Sequence, residues 1–105
     1  MMMKVTHKSV SRLVGVCPFC HRKMNLTHHH LIPKKMHRRN LFKRKYNRSI
    51  LAKTILICRQ CHDGIHTFYD EMELAKNFNS FILLQKDKKL AAYFNWVAKQ
   101  RRRID

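Results

Sequence analysis

Two Cys-x-x-Cys pairs, Cys17/Cys20 and Cys58/Cys61, stand 37 residues apart in a chain of 105 residues. Each pair bends the backbone so that two sulfurs face one point. Two such knuckles supply the four soft ligands of a tetrahedral zinc. Binding energy at such a site becomes folding energy in a domain whose core is small. Four unliganded buried thiols are the plain alternative, and the paired spacing argues against it. The histidines are the second chemical feature. His28, His29 and His30 are consecutive, and neighbours on a strand point to opposite faces. One of His29 and His30 can therefore bind a metal while the other is aimed beside it. His62 and His66 lie at i and i+4, which on a helix is a two-ligand clip. His62 directly follows Cys61, so a zinc knuckle would fix the start of that helix. His7 and His21 read as solvated or hydrogen-bonded residues. His28 and His37 read the same way, although His37 sits in a basic segment within reach of phosphate.

Three other chemistries fit parts of this pattern. Cys-x-x-Cys-His occurs twice and is the attachment signature of c-type haem. A dihaem protein needs export, residues 1–16 lack a signal-peptide core, and the triple histidine would have no role. A thioredoxin-type redox pair lacks the surrounding βαβ pattern. His62-Asp63-Gly64-Ile65-His66 echoes the zincin helix with Asp for Glu. The shorter Asp63 reaches a metal-bound water poorly, and a protease has no use for the charge of this chain.

The elements that must hold these residues are short. Residues 24–33 read as a strand ended by Pro33, and residues 54–57 as a second strand leading into Cys58. A helix follows over residues 61–69. Residues 1–16 are a flexible start or a short strand. Residues 34–48 carry eight Lys/Arg interleaved with Leu41, Phe42 and Tyr46. They read as an exposed loop with room for one helical turn. Leu74, Phe78, Phe81 and Ile82 fall on one helix face, and Leu90, Tyr93, Phe94 and Val97 on another. Asp70 and Asp87 stand where N-caps are useful. The two helices are expected to pack as core over the metal-bearing half, and the tail over residues 99–105 to fray.

Composition selects the partner. Lys plus Arg number 23 against 6 Asp plus Glu, a formal charge of +17, with 45% hydrophobic residues. Such a surface attracts polyanions: nucleic acid first, then acidic proteins and anionic membranes. No apolar run approaches the roughly 20 residues that span a bilayer. A cytoplasmic protein is expected, whose thiols stay reduced and bind metal rather than pair. Lys34, Lys35, Arg38, Arg39, Lys43, Arg44, Lys45 and Arg48 are the expected phosphate contacts, joined by the run from Lys99 to Arg103. Phosphate contacts carry little sequence information, so low specificity follows.

Cys-x-x-Cys, a strand bearing His-His-Leu-Ile-Pro, and Cys-x-x-Cys-His with a further His four residues on together resemble the HNH endonucleases. The resemblance spans residues 17–66, and the C-terminal helices look like those of small bacterial and phage members. It implies an α+β fold: a ββα-metal motif over about residues 17–70, held by a four-cysteine zinc, then two helices over about 71–103. Residues 1–105 would form one domain. By the resemblance, His30 is the general base, and His29, His62 and His66 hold one catalytic divalent cation, Mg, Mn, Ni, Co or Zn. Cys17, Cys20, Cys58 and Cys61 hold the structural zinc. The implied activity is hydrolysis of DNA phosphodiester bonds, leaving 5′-phosphate and 3′-hydroxyl ends. Oligomeric state is left open, a double-strand cut needing a dimer or two successive nicks. One position departs from the pattern. The family's middle Asn, five or six residues before the third Cys, is replaced by Lys53 or Ala52. Asn47 is the nearest Asn upstream and serves only if the loop folds back; a backbone carbonyl is the other candidate to orient His30. The second reading is a catalytically silent, zinc-dependent nucleic-acid-binding module.

Overall fold

The first Cys-x-x-Cys pair is the turn of a β-hairpin. A computed structural model describes residues 13–100. Strand β1 (Leu13–Val16) pairs antiparallel with β2 (Lys23–His30), Leu13 opposite Leu26 and Val16 opposite Lys23. Between them the Cys17 N–H donates to the Arg22 carbonyl (3.0 Å) and the His21 N–H to the Cys17 carbonyl (2.7 Å). His21 closes this turn at φ 64°, a left-handed conformation that histidine adopts more readily than most residues. The residue read as solvated thus has a backbone task. Strand β3 (Thr54–Cys58) pairs antiparallel with the other edge of β2, Leu26 opposite Cys58 and His30 opposite Thr54. The sheet order is β1-β2-β3.

Strand β2 stops at His30 rather than at Pro33. Ile32 and Pro33 turn inward and are buried. Pro33 opens a 3₁₀ turn, Lys34–Met36, and two short helices follow: α1 (Asn40–Lys45) and α2 (Arg48–Leu51). The expected exposed loop is therefore a folded lobe. Ile32, Met36, Phe42 and Leu51 form its small core, closed by Ala75 from a later helix. Four apolar side chains scattered among eight cations are enough to pin it, while the cations remain outside. Asn47 caps α2, its side chain accepting from the Ile50 N–H at 2.9 Å.

Helix α3 (Arg59–Phe68) starts directly after β3, two residues before the expected Cys61, because Cys58 itself is the N-cap. Where two further helices were expected, three occur: α4 (Glu71–Asn77), α5 (Phe81–Lys86) and α6 (Lys88–Ala98). The chain leaves helical geometry at Phe78 and restarts at Ser80, whose hydroxyl accepts from the Leu83 N–H at 3.2 Å. Apolar spacing runs on across the break, which is why periodicity read one helix there. The two aspartates cap as expected, Asp70 for α4 and Asp87 for α6. Asp87 also accepts from the Tyr69 hydroxyl at 2.8 Å.

The larger core joins the four cysteines to Phe19, Ile57, Ile65, Leu74, Leu84, Leu90, Phe94 and Val97. Phe19, inside the first knuckle, stacks on Phe94 (4.3 Å between centroids) and Phe81 (5.0 Å). Helices α3 and α6 approach at Gly64, where a Cβ would overlap the Tyr93 ring. Among the described residues no helix is long and apolar enough to cross a membrane.

Candidate metal centres and their surroundings

Cys17, Cys20, Cys58 and Cys61 are all buried and unpaired, with sulfurs within 4.8 Å of one another. The Cys20 and Cys58 sulfurs are 3.7 Å apart. That is too far for a disulfide and close to the roughly 3.8 Å edge of a tetrahedron with zinc–sulfur bonds near 2.3 Å. Two backbone features bring them together: the hairpin turn delivers one pair, and the β3–α3 junction delivers the other. The Cys61 N–H donates to the Cys58 sulfur (3.3 Å), so the start of α3 favours negative charge there. Hydrogen bonds from Cys58 and Cys61 hold Cys17 well below the usual thiol value, and Cys58 and Cys61 are pushed up in return. Arg22 adds a fixed positive charge. Its guanidinium donates to the Cys20 sulfur (3.4 Å), the Cys58 sulfur (3.8 Å) and the Gln60 carboxamide oxygen (3.0 Å). A cluster of four cysteine sulfurs beside one arginine could hold a structural metal such as zinc.

The second cluster shares one element, α3, with the first. His29 from β2 meets His62 and His66 from α3, with ligand nitrogens within 4.8 Å of one another. Their ring centroids are 5.1 to 5.2 Å apart. His29 is 1% exposed, and neither of its ring nitrogens has a hydrogen-bond partner. An unpaired polar group in the interior is costly unless something else binds it. Burial first, then the neighbouring His62 and His66, lowers His29 to about 3. Burial and His66 lower His62 to about 4. Both imidazoles are thus neutral at pH 7, the state a metal ligand needs. Thr27 sets the tautomer of His62. Its hydroxyl donates to the Ile57 carbonyl (3.0 Å) and so offers only a lone pair to His62 Nδ1 at 2.8 Å. Nδ1 must then carry the proton, which leaves the Nε2 lone pair free. The fit to a divalent cation rests on these features: three converging imidazoles, one of them buried and wholly unpaired.

The strand alternation works as expected. His29 points into the interior and His28 away from it, contacting the Thr54 hydroxyl through Nδ1 (3.1 Å). His30, last on β2, lines a cavity of about 300 Å³ together with His62, His66 and Lys34. It also lines a second cavity, of about 480 Å³, with His37 and Asn47. The loop has folded back, but Asn47 caps α2 and makes no described contact with the His30 ring. Among the described residues no backbone carbonyl takes that place either. The described neighbour is His37, whose ring lies 5.7 Å from that of His30 at 68°. His37 is itself fixed, donating from Nε2 to the Ile32 carbonyl at 2.7 Å. Burial, then the neighbouring His37 ring and the Lys34 ammonium, hold His30 below the ordinary histidine value.

All eight cations proposed for phosphate, Lys34 to Arg48, are exposed. Among the described residues the ion pair is Arg59–Asp63, outside this set. No carboxylate precedes Asp63 in the sequence. Lys99 ends the described helices; Arg101 to Arg103 lie outside the described residues. Arg22, Thr27 and His37 were not singled out as site residues from the sequence. Thr27 had a signal, because alternation places it on the face of His29.

No family model and no solved structure matches the chain. A curated protein of Bacillus subtilis (strain 168), the uncharacterized protein YisB, is 32% identical over 90 residues, which is 85% of this chain and 79% of that protein.

Proposed function

We propose that this chain, which belongs to the same family as the uncharacterized protein YisB of Bacillus subtilis (strain 168), is a metal-dependent endonuclease of the HNH type. It hydrolyses DNA phosphodiester bonds with low sequence specificity, leaving 5′-phosphate and 3′-hydroxyl ends. The observation that carries this reading is the junction of β2 and α3. Three imidazoles converge there around a buried, unpaired His29, and a fourth, His30, borders the same opening. His29, His62 and His66 would hold the divalent cation, with Thr27 fixing His62. When bound, the cation supplies charge stabilisation for a non-bridging phosphate oxygen and the leaving 3′ oxygen. His30 takes the proton of the attacking water, which its lowered pKa allows at pH 7. Lys34 and its exposed neighbours hold the scissile strand by its phosphates.

The test is plasmid cleavage by the purified protein with Mg, Mn, Ni or EDTA, beside His30→Ala. We expect nicking that needs added cation and falls by about 100-fold or more in the variant, with zinc content and DNA binding unchanged. Binding without cleavage under every cation would leave the silent binding module. One observation favours that second reading: among the described residues nothing hydrogen-bonds the His30 ring, and Asn47 is engaged as a helix cap.

A further inference from the structure

The cavity of about 480 Å³ has no part in holding either metal, yet it shares His30 and Lys34 with the smaller cavity beside the histidine cluster. A strand whose phosphate sits at His30 can therefore continue past Lys34 into this larger space. Its volume lies in the range of small-ligand sites. Its walls are unusual in composition. Lys34, Lys43 and Arg48 line it, and among the described residues no carboxylate does. Tyr46 adds a half-buried ring, held nearly parallel to Phe42 (11°). Asn47 has its carboxamide oxygen engaged by the Ile50 N–H, so the amino group is what it can still offer. Cations, a flat ring and an amide donor are the groups that bind a phosphate, stack on a base and donate to a base carbonyl.

We propose that this cavity is a subsite for one unstacked nucleotide of the bound strand, next to the phosphate at His30. The proposal rests on the nuclease reading for the word "next", but the cavity and its chemistry stand independently of cleavage. A base seated between the lobe and β2 cannot remain in a duplex stack. Nucleotides already unpaired, in single strands, bulges or frayed ends, avoid the cost of unstacking. The subsite thus favours such DNA over intact duplex.

The experiment is an NMR titration of the zinc-loaded full chain, without other divalent cations, using dTMP and, separately, inorganic phosphate. The thymine carbonyls suit the donors on an otherwise largely apolar wall, Lys34, Lys43, Arg48 and the Asn47 amino group. We expect dTMP to shift the signals of Tyr46, Asn47 and Arg48, and to bind about tenfold or more tighter than phosphate. Arg48→Gln, at an exposed position, should weaken dTMP by about five- to tenfold. Tyr46→Leu should remove the advantage of dTMP over phosphate while leaving phosphate binding. Equal affinity for dTMP and phosphate overturns the subsite, as do shifts spread over the basic surface away from the cavity. Plasmid cleavage by a protein that does not bind dTMP here overturns the subsite and leaves the nuclease standing. Binding of dTMP by a protein that cleaves nothing keeps the subsite and overturns the nuclease reading.

Discussion

Thr27 decides how the histidine cluster can be used. Its one hydroxyl proton goes to the Ile57 carbonyl, so His62 must donate from Nδ1 and present Nε2. Thr27→Val keeps the shape and removes that acceptor, freeing His62 to take the other tautomer and turn. Outer partners of this kind are worth about 10- to 100-fold in metal affinity. We expect Thr27→Val to weaken Co(II) binding at the cluster by about that factor, and Thr27→Ser to restore most of it. Absorption of bound Co(II), with the cysteine site kept zinc-loaded, reads this directly. Equal affinities in all three proteins would show that Thr27 does not set the tautomer. The ligand types were legible in the sequence because cysteine and histidine at these spacings have few other uses. Arg22 was not, and of Thr27 only its face was, by alternation with His29: the packing of β2 against β3 and α3 is what brings Thr27 to His62 and Arg22 to Cys58. His37 was read as bland for the same reason: its contact with His30 depends on how the basic segment folds.

The elements carry their own test at the α3–α6 crossing. Gly64 lies under the Tyr93 ring, and the Tyr93 hydroxyl donates to the Gln60 carbonyl at 2.9 Å, one turn earlier on α3. An added methyl must push α6 away from the helix that carries His62 and His66. We expect Gly64→Ala to cost about 1–3 kcal/mol in urea unfolding of the zinc-loaded protein, despite alanine's better helix propensity. Against a Tyr93→Ala background the same change should cost little, or stabilise, since the obstructing ring is gone. An equal cost in both backgrounds would place the strain elsewhere. Capping chemistry made parts of this level legible: Asp70 and Asp87 begin helices as their side chains suggest. Two features stayed hidden. The break before Ser80 keeps the apolar phase, so spacing alone joins α4 and α5. The lobe of residues 31–51 buries Ile32, Met36, Phe42 and Leu51 too sparsely for any periodicity to stand out from the charges.

Across the whole molecule, charge is divided along the chain. Every carboxylate lies at or beyond Asp63, and two of them cap helices. The lobe and the hairpin are therefore positive without internal compensation, and the histidine cavity opens between them and α3, with Glu71 of α4 also on its wall. Bound phosphates would release counterions from DNA, so affinity must fall steeply with salt. With roughly six phosphates neutralised, log K against log salt should have a slope of about −5. Position matters as much as total charge. Lys43 and Arg48 border the larger cavity, whereas Lys86 is an equally exposed cation on α5, outside the lobe. Lys43→Gln with Arg48→Gln should flatten the slope by about two units and weaken unrelated sequences alike, because phosphate contacts do not read bases. Lys86→Gln should leave it unchanged. Fluorescence anisotropy of labelled DNA over a salt series, on the zinc-loaded protein without any other divalent cation, measures all three. A flat response in the parent protein would remove DNA as the partner. Equal flattening by Lys86→Gln would mean that the charge acts as a diffuse cloud, with no strand held at the lobe beside His30.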